Sequence, residues 1–233
     1  MFGKSKISVL GMTMLLGASV MILLNDLINS DNARISPKLL PDSEDSVLNF
    51  DPREITLNET IFFLETNTKA AQFNPRLLCA FESAAKFNPD LKVFVLLVES
   101  IGDTSKVFTT PHYLRRVENL HFRRLTQAAS DSIARGTAVE HIWISGHVAS
   151  SKYGLNNISN ILRILLVFKF GGYYLDSDIV ARARFPRTPN FVLQDVESTI
   201  NNAFIRFEAN HPFLQDVLKE LVRFWATLGS FVK

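Results

Sequence analysis

The chain has one cysteine, Cys79, in 233 residues, so no internal disulfide can staple it. Histidine is also scarce. The five (His112, His121, His141, His147 and His211) show no zinc-ligand spacing. Neither sign of charge dominates. Lys plus Arg is 25 and Asp plus Glu is 23, a formal net charge of +2. The basic excess that marks nucleic-acid binders is missing, so no nucleic-acid partner is expected. A 47% hydrophobic content excludes intrinsic disorder. Neither a G-x-S-x-G elbow nor a Walker loop occurs, so hydrolase and nucleoside-triphosphatase readings lack their motifs.

What is there is unevenly spread. Residues 7–24 carry no charge and are mostly apolar, with Lys4 and Lys6 before them and Asn25 and Asp26 after them. As a helix this run is about 27 Å long, close to the hydrocarbon thickness of an early secretory-pathway membrane. Positive charge ahead of the span predicts a cytosolic N-terminus. A cleaved signal peptide has a shorter core and a small-x-small site, which the run lacks. The expectation is a cytosolic tail at 1–6, a transmembrane signal anchor at 7–24 and a luminal stalk at 25–58. The stalk is dense in Asn, Asp, Ser and Pro and has no periodicity. A luminal domain would follow at 59–233. Two N-glycosylation sequons, at Asn58 and Asn157, fit that side of the membrane.

From residue 60 the pattern alternates between strand and helix. Strands are expected at 61–64, 91–98, 173–175 and 202–207, and less clearly at 120–125 and 140–144. Helices are expected at 75–87, 159–170 and 212–225. Pro75 opens the first helix and Asn88-Pro89 closes it. The spacing of the first two strands suits a parallel βαβ unit, and the whole reads as an α/β domain with a mostly parallel sheet.

The chemistry concentrates at Gly171-Gly172-Tyr173-Tyr174-Leu175-Asp176-Ser177-Asp178. Strand alternation would put Tyr174, Asp176 and Asp178 on one face. Two carboxylates at the C-terminal end of a buried strand can hold a divalent cation, and α/β sheets bind ligands at that end. On the preceding helix Asn160 and Arg163 share a face, and Arg163 lies within an apolar run. A half-buried guanidinium needs an anionic or hydroxyl-rich partner.

These residues resemble a known family. The run Ser159-Asn160-x-x-Arg163, followed by Lys169-Phe170-Gly171-Gly172-x-Tyr174-x-Asp176-x-Asp178, looks like the sugar-nucleotide site of DXD-containing retaining glycosyltransferases of the GT-A fold. Three further segments narrow it: Phe62 to Thr66; Cys79-x-x-Glu82-Ser83-Ala84-Ala85 with Asn88-Pro89; and Asn202-Ala203-Phe204 with Phe207-Glu208. They are similar to the α-1,4-galactosyltransferase and α-1,4-N-acetylglucosaminyltransferase family, the globotriaosylceramide synthase-like group. The resemblance implies transfer of galactose or an N-acetylhexosamine from a UDP-sugar, with retention. The acceptor would be a glycosphingolipid or other glycan, in α-1,4 linkage. It implies a single-pass type II protein of the Golgi membrane. Asp178 would bind Mn²⁺. Asp176 would contact ribose and metal, Tyr174 would line the donor pocket and Arg163 would touch the donor sugar. No residue is assigned to the catalytic step itself.

Two departures accompany the resemblance. Asn160 stands where the family usually has Asp, so sugar recognition there loses a charge and an acceptor oxygen. The family also continues beyond the helix holding Trp225. The expectation is an incomplete GT-A-like domain, with a non-catalytic, membrane-anchored binding protein as the alternative. Cys79 is expected to be either a buried free thiol or half of a pair completed elsewhere. The basic stretch Arg115-Arg116 and Arg123-Arg124 reads as a solvated face.

Overall fold

The computed structural model describes residues 47–66, 73–99, 111, 113–194 and 200–230. The expected anchor at 7–24 and most of the expected stalk lie outside them. Among the described residues no helix is long and apolar enough to cross a membrane.

Six strands form one sheet: β1 (Thr60–Glu65), β2 (Lys92–Val98), β3 (Leu120–Leu125), β4 (Gly172–Leu175), β5 (Phe191–Gln194) and β6 (Ile200–Phe207). Their order is β3-β2-β1-β4-β6-β5. The first four are parallel neighbours, while β6 runs antiparallel to both β4 and β5. The helices are α1 (Pro75–Phe87), α2 (Gln127–Ala134), α3 (Glu140–Ile144), α4 (Gly154–Phe170) and α5 (Pro212–Ser230).

Strand alternation divides the core into two layers. Phe62, Phe94, Tyr174 and Ile205 point to a face packed by α2, α3, α4 and α5. Ile61, Val93, Tyr173 and Leu175 point to the opposite face, covered by α1 and by the chain around Ala181 and Phe185. The parallel strands are apolar on both faces because both are covered.

The expected βαβ unit is present. α1 begins where Asn74 accepts a hydrogen bond from the Arg76 N–H at 3.0 Å, and β1 and β2 pair in parallel.

Several expectations are corrected. Residues 140–144 form a helix, not a strand. Val139, Ile142 and Trp143 are all buried, an i, i+3, i+4 set, and the Trp143 indole donates to Asp131 at 3.0 Å. Helix α4 starts at Gly154 rather than at Ser159, which lies inside it. The start falls there because glycine approaches the Ala149 carbonyl closely: a Cβ on Gly154 would lie 2.3 Å from that oxygen.

Third, residues 47–58 do not extend as a stalk. Phe50 is buried edge-on against Phe94 and Phe170, and its N–H donates to the Arg124 carbonyl at 2.8 Å. Glu54 pairs with Arg123 at 2.5 Å. Arg123 is therefore a structural partner on β3, not part of a solvated loop. Cys79 is an exposed free thiol, not a buried one.

Candidate active site

Gly171 and Gly172 reverse the chain between α4 and β4. Both have positive φ, +66° and +92°. Added side chains would meet Asn58 and the Thr60 carbonyl respectively. The reversal is tight enough to lay α4 directly over β4. Arg163, three turns into the helix, therefore faces the far end of the strand.

Tyr174 and Asp176 share a face, as alternation requires. The Tyr174 phenol donates to Asp176 Oδ1 at 2.7 Å. Arg163 Nη2 lies 3.0 Å from Asp176 Oδ1, and Nη1 donates to Oδ2 at 3.3 Å. The guanidinium also stacks over the Tyr174 ring, 4.7 Å from its centroid. Asp178 departs from the expectation of a shared face. The strand ends at Leu175, and the Ile179 N–H closes a turn on the Asp176 carbonyl at 3.0 Å. That turn leaves Asp178 exposed to solvent.

Burial pushes the Asp176 carboxyl up, and Arg163 and the Tyr174 hydrogen bond pull it partly back. Burial pushes the Tyr174 phenol far above its usual value of 10.0, so it remains a neutral donor to Asp176 at physiological pH.

The remaining expected residues lie outside this cluster of side-chain contacts or at its edge. Asn160 is half-buried on α4. Asn157 donates its amide to Ser151 Oγ at 3.0 Å. Asn58 lies at the opposite end of β4, where its amide oxygen accepts the Ala209 N–H at 2.8 Å.

Two members of the cluster were not expected as site residues. Ser159, one turn before Arg163, is 3.2 Å from its Nη2 through Oγ. Asn202 on β6 accepts from Arg163 Nη1 at 2.9 Å. The signal for Ser159 was its i, i+4 spacing to Arg163. The signal for Asn202 was the family-like segment Asn202-Ala203-Phe204, which carried no role for the residue.

A parallel sheet closed by an antiparallel strand, with an Asp-x-Asp turn at its C-terminal edge, is an architecture shared with glycosyltransferases. The chain belongs to the family described as "Glycosyltransferase sugar-binding region containing DXD motif", which it matches over residues 74–198.

It is 32% identical over 173 residues to lactosylceramide 4-alpha-galactosyltransferase of Mus musculus, covering 70% of this chain and 45% of that protein. It is 24% identical over 168 residues to alpha-1,4-N-acetylglucosaminyltransferase of Homo sapiens, covering 70% and 47%. The chain thus spans just under half the length of these curated relatives. Among solved structures, the PaToxG glycosyltransferase shares the fold. Its TM-score is 0.55 and its identity 16%, with 73% of this chain and 61% of that one covered.

Proposed function

We propose that this chain carries the donor-binding half of a retaining glycosyltransferase. It would transfer galactose or an N-acetylhexosamine from a UDP-sugar to a glycolipid or glycan acceptor in α-1,4 linkage. The observation that carries the reading is the Arg163–Asp176–Tyr174 cluster at the C-terminal end of β4, where α/β sheets hold nucleotides. The names of the two relatives supply the candidate sugars and linkage. The charge-free run at 7–24 supports a type II membrane topology, and the Golgi is the compartment this family implies.

A divalent cation fits the donor chemistry. Carboxylate oxygens suit Mn²⁺ or Mg²⁺. Among the described residues no group of three or more His, Cys, Asp or Glu side chains forms a metal cage. Asp176 is committed to Arg163 and Tyr174, and Asp178 is exposed. Asp178 would therefore hold the ion, with Asp176 contributing a remaining lone pair or a bridging water. Arg163 cancels one carboxylate, so the cluster offers a dication a single net negative charge. The donor's diphosphate would supply the rest, which favours joint binding of metal and nucleotide. When bound, the cation would stabilise the diphosphate as it leaves. Tyr174, held neutral, keeps Asp176 oriented and gives up no proton.

The test is UDP-galactose and UDP-N-acetylglucosamine turnover by the full chain with Mn²⁺, with and without lactosylceramide. Metal-dependent turnover that Asp178→Ala abolishes supports the reading. Turnover indifferent to that substitution overturns it. UDP binding without turnover would favour a membrane-anchored binding protein.

A further inference from the structure

Arg163 has five N–H groups. Each has an acceptor inside the protein. Nε donates to the Ser159 carbonyl at 3.4 Å. Nη1 donates to Asp176 Oδ2 at 3.3 Å and to Asn202 Oδ1 at 2.9 Å. Nη2 reaches Ser159 Oγ at 3.2 Å and Asp176 Oδ1 at 3.0 Å. The shortest of these contacts is to Asn202, which lies beyond the family match at 74–198.

We infer that Asn202 is a positioning residue of the donor site: it fixes the Arg163 guanidinium from the β6 side, and through it the carboxylate of Asp176. Ser159 reaches the guanidinium from its own helix, one turn away. Asn202 approaches from β6, the antiparallel neighbour of β4, so the guanidinium is clamped between two elements. Arg163 is only 8% exposed, so an N–H left without this acceptor would not be rescued easily by water.

An amide suits the position better than a carboxylate would. It accepts a hydrogen bond without competing for the cationic charge that Asp176 needs. The backbone fixes the register of the clamp, because the Asp176 N–H donates to the Ala203 carbonyl at 2.8 Å. A shift of β6 would therefore move Asn202 and Asp176 together.

The inference deepens the UDP-sugar reading and rests on it for its functional consequence. Its test has two arms on the full 233-residue chain. The first needs no nucleotide. Thermal midpoints are measured for Asn202→Leu, Arg163→Met and the double variant. Coupling through the clamp predicts that the two losses fall short of additivity by about 2–4 °C. Additive losses overturn the clamp.

The second arm is UDP titration with Mn²⁺. Asn202→Leu keeps the shape but has no acceptor, and is expected to weaken UDP binding about tenfold. Asn202→Asp keeps an accepting oxygen but adds a charge that competes with Asp176 for the guanidinium, and is expected to weaken binding by about threefold, less than Asn202→Leu. Equal weakening in both variants, or none in Asn202→Leu, overturns the positioning role. Should the unsubstituted chain fail to bind UDP, the donor reading falls, and the first arm still decides whether the clamp exists.

Discussion

The amide oxygen of Asn58 lies 1.9 Å from the point that a Cβ on Gly171 would occupy. The same oxygen accepts the Ala209 N–H, and the Asn58 N–H donates to the Phe170 carbonyl at 2.9 Å. One residue thus ties the end of α4, the entry to β1 and the turn after β6. Gly171, at φ +66° and ψ −174°, is in a region open essentially to glycine alone. Gly171→Ala is expected to destabilise the domain by about 3 kcal/mol, from strain and collision together. Asn58→Ala should lose about 1–2 kcal/mol. Calorimetry on the two variants checks the order: the glycine change must be the worse.

Acid should loosen the segment at 47–58. The Arg123 guanidinium holds the Glu54 carboxyl below its ordinary value of 4.5. A depressed folded-state value means that this contribution is intact above about pH 4.5 and disappears as the pH drops through the lower value. Glu54→Gln should lower the thermal midpoint at pH 7 and lower it by less at pH 3. An equal deficit at both values would remove the ion pair from the explanation.

Charge alone should not replace Arg163. Lysine keeps the positive charge but cannot offer the planar fork that reaches Asp176, Asn202 and Ser159 together. Arg163→Lys is expected to cost about 2–3 kcal/mol of stability, less than a fully buried pair because Asp176 is partly open to solvent. Metal-dependent UDP affinity should fall at least tenfold. Denaturant titration and calorimetric binding measure the two effects separately.

Tyr174→Phe removes a single oxygen from a buried ring. Asp176 keeps Arg163 and loses its other side-chain donor. A stability loss of about 1 kcal/mol is expected, along with weaker UDP binding. Unchanged binding would show that Arg163 alone orients the carboxylate.

Asp178→Ala should behave differently from these core changes. Its side chain is exposed, so little packing is lost with it. The thermal midpoint without ligand should move by less than about 0.5 kcal/mol equivalent. Stabilisation by UDP plus Mn²⁺ should vanish, as it should on adding EDTA to the unsubstituted protein.

Much of this architecture is legible where local signals and burial agree. Asn74-Pro75 announces α1, and its apolar spacing matches the face that packs on the sheet. Gly171-Gly172 announces the reversal. The residues that misled are those whose role depends on a distant partner. Phe50 stands in a polar stretch, and only Phe94 and Phe170 make it a core residue. Residues 140–144 carry β-branched and aromatic side chains that suit a strand. Yet Val139, Ile142 and Trp143 pack on one helical side, with Asp131 taking the indole N–H. Asn202 stands in a family-like segment of the sequence, but its bond to Arg163 is visible only when β6 is laid beside β4.

The antiparallel return of β6 also imposes an order in time. Arg163 and its Asn202 partner are 39 residues apart in the chain. At about 5–20 residues per second of synthesis, roughly 2–8 s separate their appearance on the ribosome. During that interval α4 carries a charged, apolar-flanked guanidinium whose final acceptor does not yet exist. A nascent chain stalled before residue 200 would therefore be a natural client for chaperones, although the whole Asp-x-Asp turn had already been made.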